Sequence, residues 1–179
     1  MGVLAEAISV MVPVSVLDAK YPGGRVQYVD DAPNATYCCD CHLTRIGFMV
    51  PEDVQRFVGY LATCDIRHIV AGKSVDCVVV DQTRGPTAPC EWLEFAVHEA
   101  GFGIAWIKGT PAQPMYAPDA WSIEQSQQVE FVAGADVPDR LVPLAREDGN
   151  DVYLDLATGR EGYVGRVRAA LKARRWTWW

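Results

Sequence analysis

Hydrophobic period switches from two to 3.6 at a single proline, Pro51, and that switch fixes the best-defined unit of the chain. In Leu43-Thr44-Arg45-Ile46-Gly47-Phe48-Met49-Val50, Ile46, Phe48 and Val50 share one parity, the alternation of a strand. Pro51 then suits the first helical position, where a missing N–H costs nothing, and Glu52 and Asp53 suit the positive end of a helix dipole. Val54, Phe57, Val58 and Leu61 follow at i, i+3, i+4 and i+7. The spacing predicts an amphipathic helix over about 51–63 that packs on the sheet.

Downstream, strands dominate. Val75 to Val80 is a β-branched run of the kind found in sheet interiors. Glu91 to His98 alternates, with Leu93, Phe95 and Val97 on one side and Trp92, Glu94 and His98 on the other. Ile104 to Lys108 returns after Gly101 and Gly103, which predicts a hairpin. Pro111, Pro114 and Pro118 mark residues 109–122 as a surface loop. Val129 to Ala133 and Leu141 to Ala145 read as short strands, and Val152 to Leu156 pairs with Gly162 to Val164 across Thr158-Gly159. Near the N-terminus, Ser15 and Asp18 imitate a helix cap, Pro22-Gly23-Gly24 stops that helix, and Arg25 to Asp31 suits another short one. One firm helix among many strands predicts an α+β fold, a single globular domain over residues 1–179 with a mixed, mostly antiparallel sheet.

The 179 residues are 50% hydrophobic and 22% charged, which excludes disorder and coiled coil. The balance of 16 Lys+Arg against 23 Asp+Glu, net −7, argues against a general nucleic-acid binder, which needs surplus cations. The charge is uneven. Arg166, Arg168, Lys172, Arg174 and Arg175 stand in a segment with no acid, leaving 11 Lys+Arg against 23 Asp+Glu, or −12, before it. That basic segment, 166–179, also holds three of the six tryptophans, and Val167, Ala170 and Leu171 give it helical spacing. It reads as a helix or tail. No stretch reaches the roughly 18–20 apolar residues of a membrane span, no basic n-region precedes Val3 to Val16, and Glu6 breaks the myristoylation pattern. The expected location is cytoplasmic, where the Asn34-Ala35-Thr36 sequon is unused and six cysteines stay reduced.

Three clusters invite a chemical reading. Cys38 and Cys41 have C-x2-C spacing, and Cys64 with His68 offers a C-x3-H partner, the elements of a structural zinc site, although 22 residues lie between the pairs. The same Cys38/Cys41 pair precedes a strand rather than starting a helix, unlike a thioredoxin-type redox pair. Cys90 with His98 as base, oriented by Glu94 or Asp81, makes a nucleophile–base–orienter set, but Glu91 beside Cys90 would raise rather than lower its pKa. Gly101-Phe102-Gly103 lacks the third glycine and the helix of a phosphate cradle. No catalytic and no cofactor-binding residue is therefore assigned, and zinc is the one cofactor worth testing.

Large aromatics outside a core mark recognition surfaces, which singles out Trp92, Tyr116 and Trp121 as partner-binding candidates. Leu144 to Leu156, with Thr158-Gly159 and Tyr163-Val164, resembles the late hairpin of the SMI1/KNR4 immunity superfamily. The resemblance is confined to that hairpin and implies a bacterial protein that masks a protein partner. The leading expectation is a non-enzymatic, soluble protein-binding module with a basic partner. A zinc-stabilised adaptor built on Cys38, Cys41, Cys64 and His68 is one alternative. A small hydrolase using Cys90 or carboxylates is the other.

Overall fold

Why the opening of the chain shows no period becomes clear from where it lies. In the computed structural model, which describes residues 1–119, 121–124, 137–147, 150–157 and 159–165, two strands occupy this run. β1 (Gly2–Ala5) and β2 (Ile8–Pro13) are buried at every position. A strand covered on both faces has no polar side to alternate with, so the pattern that betrays a half-buried strand is missing.

β2 is followed by α1 (Val14–Lys20), α2 (Gly24–Asp30), β3 (Cys38–Cys39), β4 (Leu43–Phe48), α3 (Pro51–Thr63), β5 (Ile69–Val70), β6 (Lys73–Ser74), β7 (Val78–Asp81) and β8 (Gly85–Pro86). One five-stranded sheet runs in the order β3-β4-β2-β7-β8, antiparallel throughout. Taken along the chain, β2, the helix pair, β3, β4, α3 and β7 trace the β-α-β-β-α-β order of a split βαβ unit. The strand and helix expected on either side of Pro51 are β4 and α3, and α3 buries Val54, Phe57 and Leu61 as its spacing requires. The β-branched run is strand only from Val78; Val75 is exposed and belongs to the approach.

The two faces of this sheet feed different cores. Ile8, Val10, Val12, Ile46, Phe48 and Val79 pack with Leu17, Tyr28, Phe57 and Leu61 of the three helices and with Tyr21, which follows α1. On the other face, Met11, Cys38, Leu43, Val78 and Val80 pack against Val3, Ala5, Leu93 and Ala105. These belong to a second sheet, ordered β11-β1-β10-β9, with β9 (Leu93–Val97), β10 (Gly103–Ile107) and β11 (Met115–Tyr116). The hairpin expected at 91–108 is β9–β10, paired from Val97↔Gly103 to Leu93↔Ile107. The proline-rich segment is not all loop: Met115 and Tyr116 add to β1 in parallel, the one parallel pair of named strands described.

A third sheet, β12 (Leu141–Glu147), β13 (Asn150–Asp155) and β14 (Arg160–Gly165), follows the short α4 (Val137–Arg140). Its β13–β14 pairing is the hairpin expected across Gly159, where φ is +66°. The fold is α+β with mixed sheets. Among the described residues, no helix is long and apolar enough to cross a membrane. The strand expected at Val129 to Ala133 and the basic segment 166–179 lie outside the described residues.

Candidate functional site

Arg45 occupies a position where a strand facing water would keep a cation, yet it is only 2% exposed because the second sheet covers that face. Each nitrogen of its fork donates a hydrogen bond. Nε donates to Ser9 Oγ at 2.9 Å, Nη1 to the Thr36 carbonyl at 3.0 Å and Nη2 to the Glu6 carbonyl at 2.7 Å. The guanidinium lies over Gly47, where any Cβ would collide with it. Burial pushes the Arg45 pKa down, and Cys38 and Glu6 push it back up. Burial also drives the Cys38 thiol up to about 11, with Arg45 opposing it. Such a thiol is not an activated one. The contacts tie the β1–β2 crossing to the loop before β3. Gln82 completes the seam: its Oε1 accepts the Ala7 N–H at 2.8 Å, and its Nε2 donates to the Gly101 carbonyl at 2.9 Å. The seam is a structural brace between sheets.

The four zinc candidates do not converge. Cys38 belongs to the core between the sheets, whereas Cys64 packs against the helix-side core. Cys41 is exposed, and His68 stands before β5 with its Nε2 buried and without a hydrogen-bond partner. Among the described residues no three His, Cys, Asp or Glu side chains are grouped to hold a metal, and all six thiols are free. A strong chelator is accordingly expected to leave the melting temperature unchanged. A chelator-induced drop would reveal a metal whose binding energy is folding energy.

Cys90, His98 and Glu94 are likewise engaged separately. Burial raises the Cys90 thiol pKa above its ordinary value. Glu94 Oε2 accepts Trp106 Nε1–H at 2.7 Å. His98 Nδ1 accepts the Ala100 N–H at 3.1 Å, and its ring stacks on Phe102 at 4.5 Å between centroids. Asp81 Oδ1 closes its own turn by accepting the Thr83 and Arg84 N–H groups. Among the described residues no hydrogen bond or ion pair links these groups into a relay.

The three aromatics fall apart as a single patch. Trp92 precedes β9 and Tyr116 sits in β11, the opposite edges of one sheet. Trp121 is half-buried, edge-on to Phe102 at 5.1 Å. Trp92 is half-buried too, and its Nε1 donates to the Val75 carbonyl at 2.7 Å. That bond leads to the element sequence reasoning missed, the ribbon β5–β6. Val70 pairs with Lys73 and Ile69 with Ser74 across Ala71-Gly72. Both turn residues have positive φ, +51° and +79°, as a type I′ turn requires. Ser74 is held from behind by the Pro89 carbonyl at 2.9 Å. Ile69 is 52% and Val70 41% exposed, with Val75 and Ala71 also exposed beside them. The available signal was Ala-Gly after the β-branched pair Ile69-Val70, far weaker than the Asn-Gly that announces such a turn.

Compared with known proteins, the chain matches no family model, no curated protein and no solved structure.

Proposed function

We propose that this chain is a non-enzymatic module that binds another protein, with the β5–β6 ribbon as its contact element. The observation that carries the reading is an apolar tip kept against conformational preference. Ala71 sits in the left-handed region, which costs an L-residue roughly 1–2 kcal/mol and which Asn or Gly would occupy more cheaply. Ile69, Val70 and Ala71 are nonetheless exposed together rather than polar. Contiguous exposed apolar residues on a hydrogen-bonded turn are a feature of recognition surfaces. The net charge of −7 favours a basic partner through long-range steering, and the hairpin resemblance agrees with an immunity-type role in which the partner is masked. A soluble, cytoplasmic setting belongs to the same proposal.

Cell extract from the native source, passed over the immobilised wild type and an Ile69→Asp/Val70→Asp variant, tests it. A protein retained by the wild type is expected to be lost from the variant, while the variant's stability stays within about 0.5 kcal/mol, since both positions face solvent. Identical retention by both chains overturns the assignment.

A further inference from the structure

Ile69 and Val70 are neighbours in one strand, so their side chains leave opposite faces of the ribbon. Both are about half exposed. Docking flat against a partner would cover one face and leave the other in water, whereas a cleft that closes around the ribbon covers both. The charges at its base are already matched within the chain. Lys73 Nζ meets Glu91 Oε1 at 2.5 Å. Asp76 Oδ2 takes Lys20 Nζ at 2.9 Å and stands 3.5 Å from Arg67 Nε. Burial alone would raise the Asp76 pKa, yet the hydrogen bonds from Lys20 and the Arg67 N–H hold it below its ordinary value. Lys20 Nζ also lies 3.9 Å from Asp65 Oδ2, so the three cations Lys20, Arg67 and Lys73 face three acids, Asp65, Asp76 and Glu91.

Resting on the binding-module reading, we infer that the ribbon inserts as a two-faced apolar knob into an uncharged, apolar cleft on a protein partner. Charge complementarity supports this occupant: among the described residues the rim is neutral in itself and offers neither an acidic groove nor an anionic membrane an unpaired cation to bind. It also separates two roles. The net negative charge brings a basic partner closer, but the contact itself is apolar.

A photo-crosslinking benzophenone side chain placed at position 70 of the full chain, in the cells that make it, tests the inference. The same group at position 26 on α2 is the control, since Val26 is 72% exposed and away from the ribbon. The protein captured at position 70 is then purified and its Kd measured for the wild type and three variants. Ile69→Asp and Val70→Asp are each expected to weaken binding by about 30-fold or more. Lys73→Ala/Glu91→Ala is expected to change it by less than about 5-fold, with the dissociation rate insensitive to salt. A loss confined to one of the two aspartate variants would mean flat docking and overturn the cleft. A larger loss in the charge variant would overturn its uncharged character. Adducts at position 26 but not 70 sink the knob and leave the binding-module reading standing, while no protein adduct at either position sinks both. A self-adduct, or Val70-dependent sedimentation with phosphatidylserine vesicles, would reassign the ribbon to a second copy or to a lipid surface.

Discussion

Phe57→Ala is expected to lower the unfolding free energy by about 3–5 kcal/mol, a large share of the stability of a domain this size. The ring is 8% exposed and sits at the centre of the helix-side core, with centroids of Phe48 at 5.3 Å, Tyr28 at 6.3 Å and Tyr60 at 6.4 Å. Truncation removes the transfer energy of the ring and leaves a void that three other aromatic rings cannot close without losing their own packing. Glu52, on the exposed first turn of the same helix, is the control. Its replacement by alanine removes only a dipole interaction of about 0.3–1 kcal/mol. Denaturant melts of the two variants decide the matter, and equal destabilisation would contradict the assigned helix face.

That the Phe57 face could be read in advance, while the Arg45 site could not, has a single physical cause. Periodicity reports burial only where one side of an element is wet. α3 has a wet side, so Val54, Phe57 and Leu61 stood out against Glu52, Gln55 and Arg56. The β9–β10 hairpin was legible from Gly101 and Gly103 between two apolar runs, but its expected sides were not: burial falls along β9 from Leu93 to an exposed Val97 on the same parity. β2 has no wet side, and its Ile8-Ser9-Val10-Met11-Val12-Pro13 gave no period to find. In β4 the alternation was real, but Arg45 on the polar parity implied solvent where the second sheet lies. Gly47 two positions on was the one local sign that something bulky had to fit there. The ribbon escaped because strands of two residues are shorter than any pattern. Trp92, chosen as an exposed aromatic, proves to brace Val75 at the foot of that ribbon.

Arg45→Met is expected to cost about 2–4 kcal/mol. Relief of the buried charge is favourable, but an acceptor left without a donor costs about 1–3 kcal/mol. The part-buried Thr36 carbonyl and Ser9 Oγ lose their Arg45 bonds, and the Glu6 carbonyl keeps the Ser9 hydroxyl at 3.0 Å. Arg45→Lys keeps the charge without the planar fork and should recover little. Gly47→Ala is expected to act through the same contact, since its methyl must displace the guanidinium. The double variant Arg45→Met/Gly47→Ala should therefore be markedly less destabilised than the sum of the two. Additive losses would show that Gly47 is needed for some reason other than making room for Arg45. An Arg45→Met chain as stable as the wild type would remove the brace between the sheets from the account.

The pairing of β1 has a consequence for the order in which the molecule can assemble. β2, β4 and the helix between Pro51 and Thr63 are complete once residue 63 has been synthesised, and they can close the helix-side core early, from contacts of moderate sequence separation. Val3, by contrast, pairs with Ala105 and Tyr116, and Gly2 with Met115. Until then the apolar side chains of β1 have no sheet to join. Pairings this distant along the chain slow folding and lengthen the time during which an unpaired strand can be captured by a neighbour. β1, made first, is thus a segment that must wait for its partners, although in the finished protein it is completely enclosed.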